Sequence, residues 1–128
     1  MSKYESSGGG AARTPEFWPP EANFGFDRAR KTLVMFLHPQ CPCSHASLEE
    51  LNRILALHAP QISAHVCFFK PSGFPNDWVR SGLWRAAGAL SGVNLHEDLD
   101  GAQARRFGAE TSGFVLLYDT HGRLMFKG

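Results

Sequence analysis

Two cysteines flank a proline, Cys41-Pro42-Cys43, between the apolar run Thr32 to Leu37 and a helical pattern running from Ser44 to about His58. A thiol at a strand-to-helix junction meets the positive end of the helix dipole and a set of unpaired backbone N–H groups. Both stabilise thiolate over thiol, and the thiolate is the form that attacks disulfides and binds metals. Pro42 suits the first helical position, where its missing N–H would have no partner anyway. Cys41 is therefore expected at or near the N-cap, with its sulfur at the mouth of the helix.

On a helix, side chains meet at i+3 and i+4. From Cys41 these are Ser44 and His45, while Cys43 points away if the turn is regular. A Cys41–Cys43 disulfide needs non-helical dihedrals at Cys41, which an N-cap position permits. So tight a loop is expected to be easily reduced. One reading makes Cys41 the attacking thiolate, Cys43 the resolving thiol, His45 the proton acceptor and Ser44 a hydrogen-bond partner of the Cys41 sulfur. A second reading uses Cys41, Cys43 and His45, with His38, as soft ligands for copper or zinc. The first needs no cofactor.

The elements that must position this segment alternate. Thr32 to Leu37 reads as a buried strand. Leu48, Leu51, Leu55 and His58 recur at helical spacing with Ile54 beside them, and Pro60 closes that helix. Ile62 to Phe69 reads as a second strand. Asn76 is expected to cap a second helix with the apolar face Val79, Leu83, Ala86 and Leu90, ending near Gly92. A short strand, Val93 to His96, and a brief helix, Ala102 to Phe107 capped by Asp100, follow. Gly113 to Tyr118 and Arg123 to Lys127 form a hairpin around Thr120-His121-Gly122. A strand–helix–strand unit gives a parallel pair with a right-handed crossover, and the terminal hairpin completes a mixed sheet. The order is that of an α/β domain with helices flanking one sheet.

The 128 residues suffice for one domain, with a formal net charge of +1 and scattered basic residues. Nothing in this pattern marks a nucleic-acid partner or a polybasic membrane patch, and no apolar run is long enough to span a bilayer. Residues 1–16 read as a disordered, Gly/Ser-rich tail and residues 17–128 as the domain. Phe17, Trp18, Phe24 and Phe26 read as an arm packed on its body. The start lacks an apolar leader, so the chain as written is expected in the cytosol; a removed leader would leave the periplasm open. Three cysteines are an odd number, which favours a redox or metal role over a disulfide framework.

Three segments resemble thioredoxin-like proteins of the TlpA and AhpC type: His38-Pro-Gln-Cys-Pro-Cys-Ser-His-Ala-Ser-Leu-Glu-Glu-Leu51, Asp100 to Gly108, and Thr111 to Leu124. Within that group the pairing of Cys-Pro-Cys-Ser with a Thr-Ser-Gly hairpin entry resembles the small RedB-like branch. The resemblance implies a thioredoxin fold, thiol–disulfide exchange with protein thiols and disulfides, and a substrate surface at Pro42, Ser112 and Gly113. It also implies a third reading, a non-catalytic thioredoxin-like domain that binds a partner beside Gly113. Three departures stand out. The usual Cys-x-x-Cys pair places its second cysteine where Ser44 stands. The usual cis-proline before the third long strand is replaced by Gly113. The chain ends at Gly128, without the helix that usually follows, so the aromatic arm is expected to cover the sheet face this helix would occupy, beside the active-site helix; a chain that is a fragment, or a second copy on that face, are the alternatives. A peroxidase role is not favoured, because peroxiredoxins carry Thr or Ser where His38 stands.

The remaining residues read as structural. Cys67 is a small buried hydrophobe in mid-strand. His58 and His65 are structural or exposed. His96, Asp98 and Asp100 suit capping and turns better than a metal loop. Trp78 and Trp84 pack, and Lys70 and Arg80 are solvated.

Overall fold

Lys31–Leu37 forms β1 at the centre of the sheet, with every residue but Lys31 buried. Its near-continuous apolar composition fits a strand covered on both faces. The computed structural model describes residues 14–41, 43–58, 61–75, 82–90, 92–109 and 112–128, with Cys43 by its backbone alone. The tail to residue 13, Pro42, Pro60, Asn76, Trp78, Val79 and Arg80 lie outside the described residues, and the expectations placed on them lie there too.

In chain order, β1 is followed by α1 (Cys43–His58), β2 (Ile62–Lys70), α2 (Gly82–Gly88), β3 (Val93–Leu99), α3 (Ala102–Phe107), β4 (Phe114–Tyr118) and β5 (Leu124–Lys127). The sheet order is β3-β2-β1-β4-β5. β1 runs parallel to β2 and antiparallel to β4; β2 runs parallel to β3, and β4 antiparallel to β5. No described helix is long and apolar enough to cross a membrane.

The alternation of side chains along the strands divides the core in two. On one face, Leu33, Met35, Leu37, Ala64, Val66 and Phe68 pack under Leu48, Leu51 and Leu55 of α1 and Leu83 and Ala87 of α2. On the other, Val34, Phe36, Phe114, Leu116 and Tyr118 pack under Phe107 of α3.

Four expectations are corrected. β3 reaches Leu99 rather than His96, pairing with β2 as far as Lys70↔Leu99. Its alternating sequence VNLHEDL suits a half-exposed edge strand and conceals its length. α2 buries Leu83 and Ala87, and Ala86 is exposed. The face follows an i,i+4 pair, one residue away from the expected stripe. Asp98, not Asp100, supplies the carboxylate at the start of α3, accepting from Gln103 N at 2.7 Å and Ala104 N at 3.0 Å. Asp100 and Gly101 are both left-handed (φ 54° and 72°), so the chain turns sharply. Asp100 then faces the preceding loop, where it accepts from the backbone N–H and hydroxyl of Ser72.

The fourth concerns the arm. Trp18 and Phe24 pack with the Phe36/Phe107/Tyr118 cluster, on the face opposite α1. Trp18 contacts Phe107 and Tyr118 edge-on, with centroids 5.0 and 5.1 Å apart. The hairpin anchors the segment there: Trp18 N donates to Gly122 O and Leu124 N to Glu16 O, both at 2.7 Å. α3 is only 6 residues long, and the arm completes the cover that it begins. On the α1 face, Val115 and Leu117 remain half-buried beside an exposed Phe126.

Candidate functional site

α1 begins at Cys43, and Ser44 N donates to Cys41 O at 3.0 Å. A carbonyl that accepts the first helical bond belongs to a capping residue. Cys41 N itself donates to His38 O at 3.0 Å, so the segment leaves β1 through one tight turn and enters the helix through another. Cys41 is half-buried and disulfide-bonded. Cys67 is a free thiol, buried at 1% exposure, and burial together with the nearby Asp98 carboxylate pushes its pKa well up. These two environments separate a half-buried cysteine at a helix start from an inert one buried in the sheet.

Ser44 is fully buried. Its hydroxyl donates to His38 O at 3.0 Å and lies 3.3 Å from the hydroxyl of Ser112. A serine has one hydroxyl proton, so Ser112 supplies the proton of the second bond. Ser112 Oγ in turn accepts from His38 N at 3.0 Å. The ring closes: His38 N–H to Ser112, Ser112 to Ser44, Ser44 to His38 C=O. Ser44 thus fixes the turn that carries Cys41, through the His38 carbonyl and the Ser112 hydroxyl.

Gly113 follows Ser112 with φ +90° and donates its N–H to Phe36 O at 2.7 Å. Proline is held near φ −65° and has no N–H, so it fits neither requirement. The departure at this position therefore has a local cause. A Cβ on Gly113 would stand 2.9 Å from Ser47 Oγ on α1, so the hairpin entry passes close to the active-site helix.

Of the residues singled out by sequence, Cys41, Ser44 and Ser112 are brought together around His38, and Gly113 approaches Ser47 one turn further along. His45 is exposed on the first turn of α1. Pro42 and the Cys43 side chain lie outside the described residues. Among those described, no group of three or more His, Cys, Asp or Glu is arranged to hold a metal. The sequence suggests His38 as a metal ligand at the position of the peroxiredoxin Thr or Ser; in the structure its backbone organises the turn. Its ring stacks on Phe69 at 5.4 Å and its Nδ1 accepts from Gln40 N at 3.1 Å. A local signal existed, since His38 is the first residue after the strand and lies three before Cys41. His65 and His96 form a pair that sequence reasoning missed, with Nδ1 and Nε2 2.8 Å apart. Asp98 and Asp100 do serve capping and turn roles, and Trp84 packs on Phe68 at 5.5 Å.

No family model matches the chain, and no curated protein matches it in sequence. Solved structures do match, and they define the class: the chain has the thioredoxin-like fold. It is similar to a hypothetical protein from Sinorhizobium meliloti, SMc02350, at 21% identity and a TM-score of 0.65, covering 92% of this chain and 69% of that one. A putative thioredoxin from Neisseria meningitidis matches at 17% identity and a TM-score of 0.60, over 78% of this chain and 64% of that one. A secreted disulfide oxidoreductase of Mycobacterium tuberculosis, homologous to E. coli DsbE, matches at 15% identity and a TM-score of 0.58, over 76% and 67% respectively. The chain thus spans about two thirds of the length of these neighbours.

Proposed function

We propose that the protein is a thiol–disulfide oxidoreductase in which Cys41 attacks and Cys43 resolves. One observation carries this reading: Cys41 is half-buried and disulfide-bonded at the start of α1, whereas burial keeps Cys67 inert. The thioredoxin-like fold and its disulfide-oxidoreductase neighbour support it. The Cys-Pro-Cys-Ser segment together with Ser112-Gly113 supports assignment to the RedB-like branch, with protein thiols and disulfides as the proposed partners.

In the reducing direction the Cys41 thiolate attacks a substrate disulfide. One substrate sulfur leaves as thiolate and takes a proton from solvent, and a mixed disulfide remains. The Cys43 thiolate then attacks the Cys41 sulfur, and the second substrate thiolate leaves. Two electrons pass to the substrate, and the protein ends oxidised. The helix dipole and the backbone N–H groups at the tip hold the Cys41 charge, and His45, one turn on, takes up its proton.

The test is exchange with a fluorogenic disulfide peptide, with dithiothreitol as reductant. Cys41→Ser is expected to lose at least about 100-fold in rate, and Cys43→Ser to accumulate a mixed disulfide visible by mass spectrometry. Undiminished exchange by Cys41→Ser would sink the assignment. Protection of Cys41 from alkylation by Cu(I), with no exchange, would point to the metal-binding reading; neither result would leave a non-catalytic binding domain.

A further inference from the structure

A cavity of about 150 Å³ opens at the carboxyl ends of β1, β2 and β3, between the sheet and α3. Ligands of open α/β sheets bind outside this edge. Exposure separates its floor from its mouth. Phe36, Cys67, Asp98 and Ala109 are buried, while His38, Phe69, Ala104 and Ser112 are half-buried. The floor is mostly apolar, and its one carboxylate, Asp98, is already engaged by two N–H groups of α3. Two residues at the mouth, His38 and Ser112, belong to the hydrogen-bonded ring that holds the Cys41 turn.

We propose that this cavity receives the apolar side chain, of leucine to phenylalanine size, that neighbours the reactive cysteine of a substrate protein. The proposal rests on the mixed disulfide at Cys41, the first step of the function proposed above. Three observations support it. The volume is right, since an apolar cavity of about 150 Å³ accommodates a benzene-sized group. The walls are right, since aromatic rings and alanine methyls favour an apolar occupant over water. The position is right: Cys41 N is bonded at 3.0 Å to the carbonyl of His38, a residue that lines the cavity. Consecutive Cα atoms are about 3.8 Å apart, so on this proposal the substrate residue next to the trapped cysteine is the one that enters the mouth. The covalent bond then makes docking of that side chain intramolecular, which favours a tethered polypeptide over a free small molecule.

Two peptide disulfides that differ only in the residue beside the cysteine, Phe or Gly, test the proposal. The wild-type protein is expected to favour the Phe peptide by about tenfold in kcat/KM. In Ala104→Leu, which fills the mouth from α3, the Phe-to-Gly ratio is expected to fall to about one, whatever the absolute rates. A second measurement needs no turnover. The same peptides, activated as thiopyridyl disulfides, are attached to Cys41 in the Cys43→Ser variant, and the Ala104 and Ala109 methyl signals are followed by NMR. Shifts with the Phe peptide and none with the Gly peptide support the cavity, even where catalytic exchange fails and the functional reading falls. Exchange at equal rates for both peptides, or methyls unmoved by the attached Phe peptide, overturns the cavity proposal and leaves the exchange reading intact.

Discussion

The two faces of the sheet are covered by different means. Under α1 and α2 the core is largely aliphatic, and most of its cover comes from a 16-residue helix whose Leu48, Leu51 and Leu55 recur at helical spacing. Under α3 the core is aromatic, and its cover is a 6-residue helix completed by an irregular arm. A long amphipathic helix carries its own hydrogen bonds and an apolar stripe, so it needs only a sheet to pack on. The arm has little backbone bonding of its own. It is held by ring contacts around Trp18, by one internal bond from Trp18 Nε1 to Phe24 O, and by two bonds to distant partners, Tyr118 Oη to Pro15 O and Asn23 N to the Gln103 side chain, each within 3.2 Å. The Cys41 turn lies where the two faces meet. Its helix belongs to the aliphatic face, and the cavity beside it belongs to the aromatic one.

If cover by helix and cover by arm differ in this way, equal losses of stability should open different parts of the chain. Leu51→Ala, at a fully buried position, is expected to cost about 3 kcal/mol. Trp18→Ala is expected to cost about 3 kcal/mol as well, near the low end for a large aromatic because the ring is half-buried. Urea unfolding measures both. Limited proteolysis then separates them: Trp18→Ala should be cut within residues 14–30 much faster than Leu51→Ala of matched stability. Equal cutting in the two variants would show that the arm opens only with the whole domain, and the contrast between the faces would fail.

A smaller effect is expected at the joint between them. Gly113→Ala introduces a side chain at positive φ and a Cβ at 2.9 Å from Ser47 Oγ, for a total of about 2 kcal/mol. Ser47→Ala removes the obstructing oxygen. In that background Gly113→Ala should cost about 1 kcal/mol less, as a double-mutant cycle would show. No coupling would mean that β4 and α1 are not pressed together at this point, and that the backbone angle alone requires glycine.

The same contrast explains what could be read in the sequence. β1, β2, β4 and α1 announce themselves because runs and periods are local. The Cys41 cap was legible for the same reason, since it depends only on a strand, a proline and a helix in succession. The arm was recognised as packed, but not its face, because aromatic composition does not say which side of a sheet a segment will cross. The bond between Ser44 and Ser112 was not legible because Ser112 lies 68 residues away and is brought near by β4 pairing with β1. Asp98 and Asp100 illustrate the same limit: two left-handed residues exchange the roles that spacing alone would assign.

The smallest effect sharpens the account of the aromatic face, through its one pair of ionisable rings. Phe24 stacks on His65 and His96, with centroids 4.6 and 4.2 Å away, and the two imidazoles share a hydrogen bond. Burial, and then the neighbouring His96, depress the His65 pKa to about 4, while Asp27 opposes the shift. Burial also lowers that of His96. An unfolded histidine titrates near 6.5, so between about pH 6.5 and 4 the unfolded chain binds more protons than the folded one, and stability falls as pH falls. Asp27, Asp100 and Asp119 have lowered pKa values, so their contributions are lost at lower pH still. Asp98, raised by burial, works in the opposite direction. The melting temperature is therefore expected to be level between about pH 7 and 8, below the range where the unfolded Cys67 thiol ionises, and to fall by about 5 °C by pH 4.5. In His65→Gln the fall should shrink by at least half, with the Asp98 contribution unchanged, which a parallel calorimetric series measures. An undiminished fall in the variant would mean that acid reaches this fold elsewhere, and that the arm holds its histidines no more tightly than the solvent does.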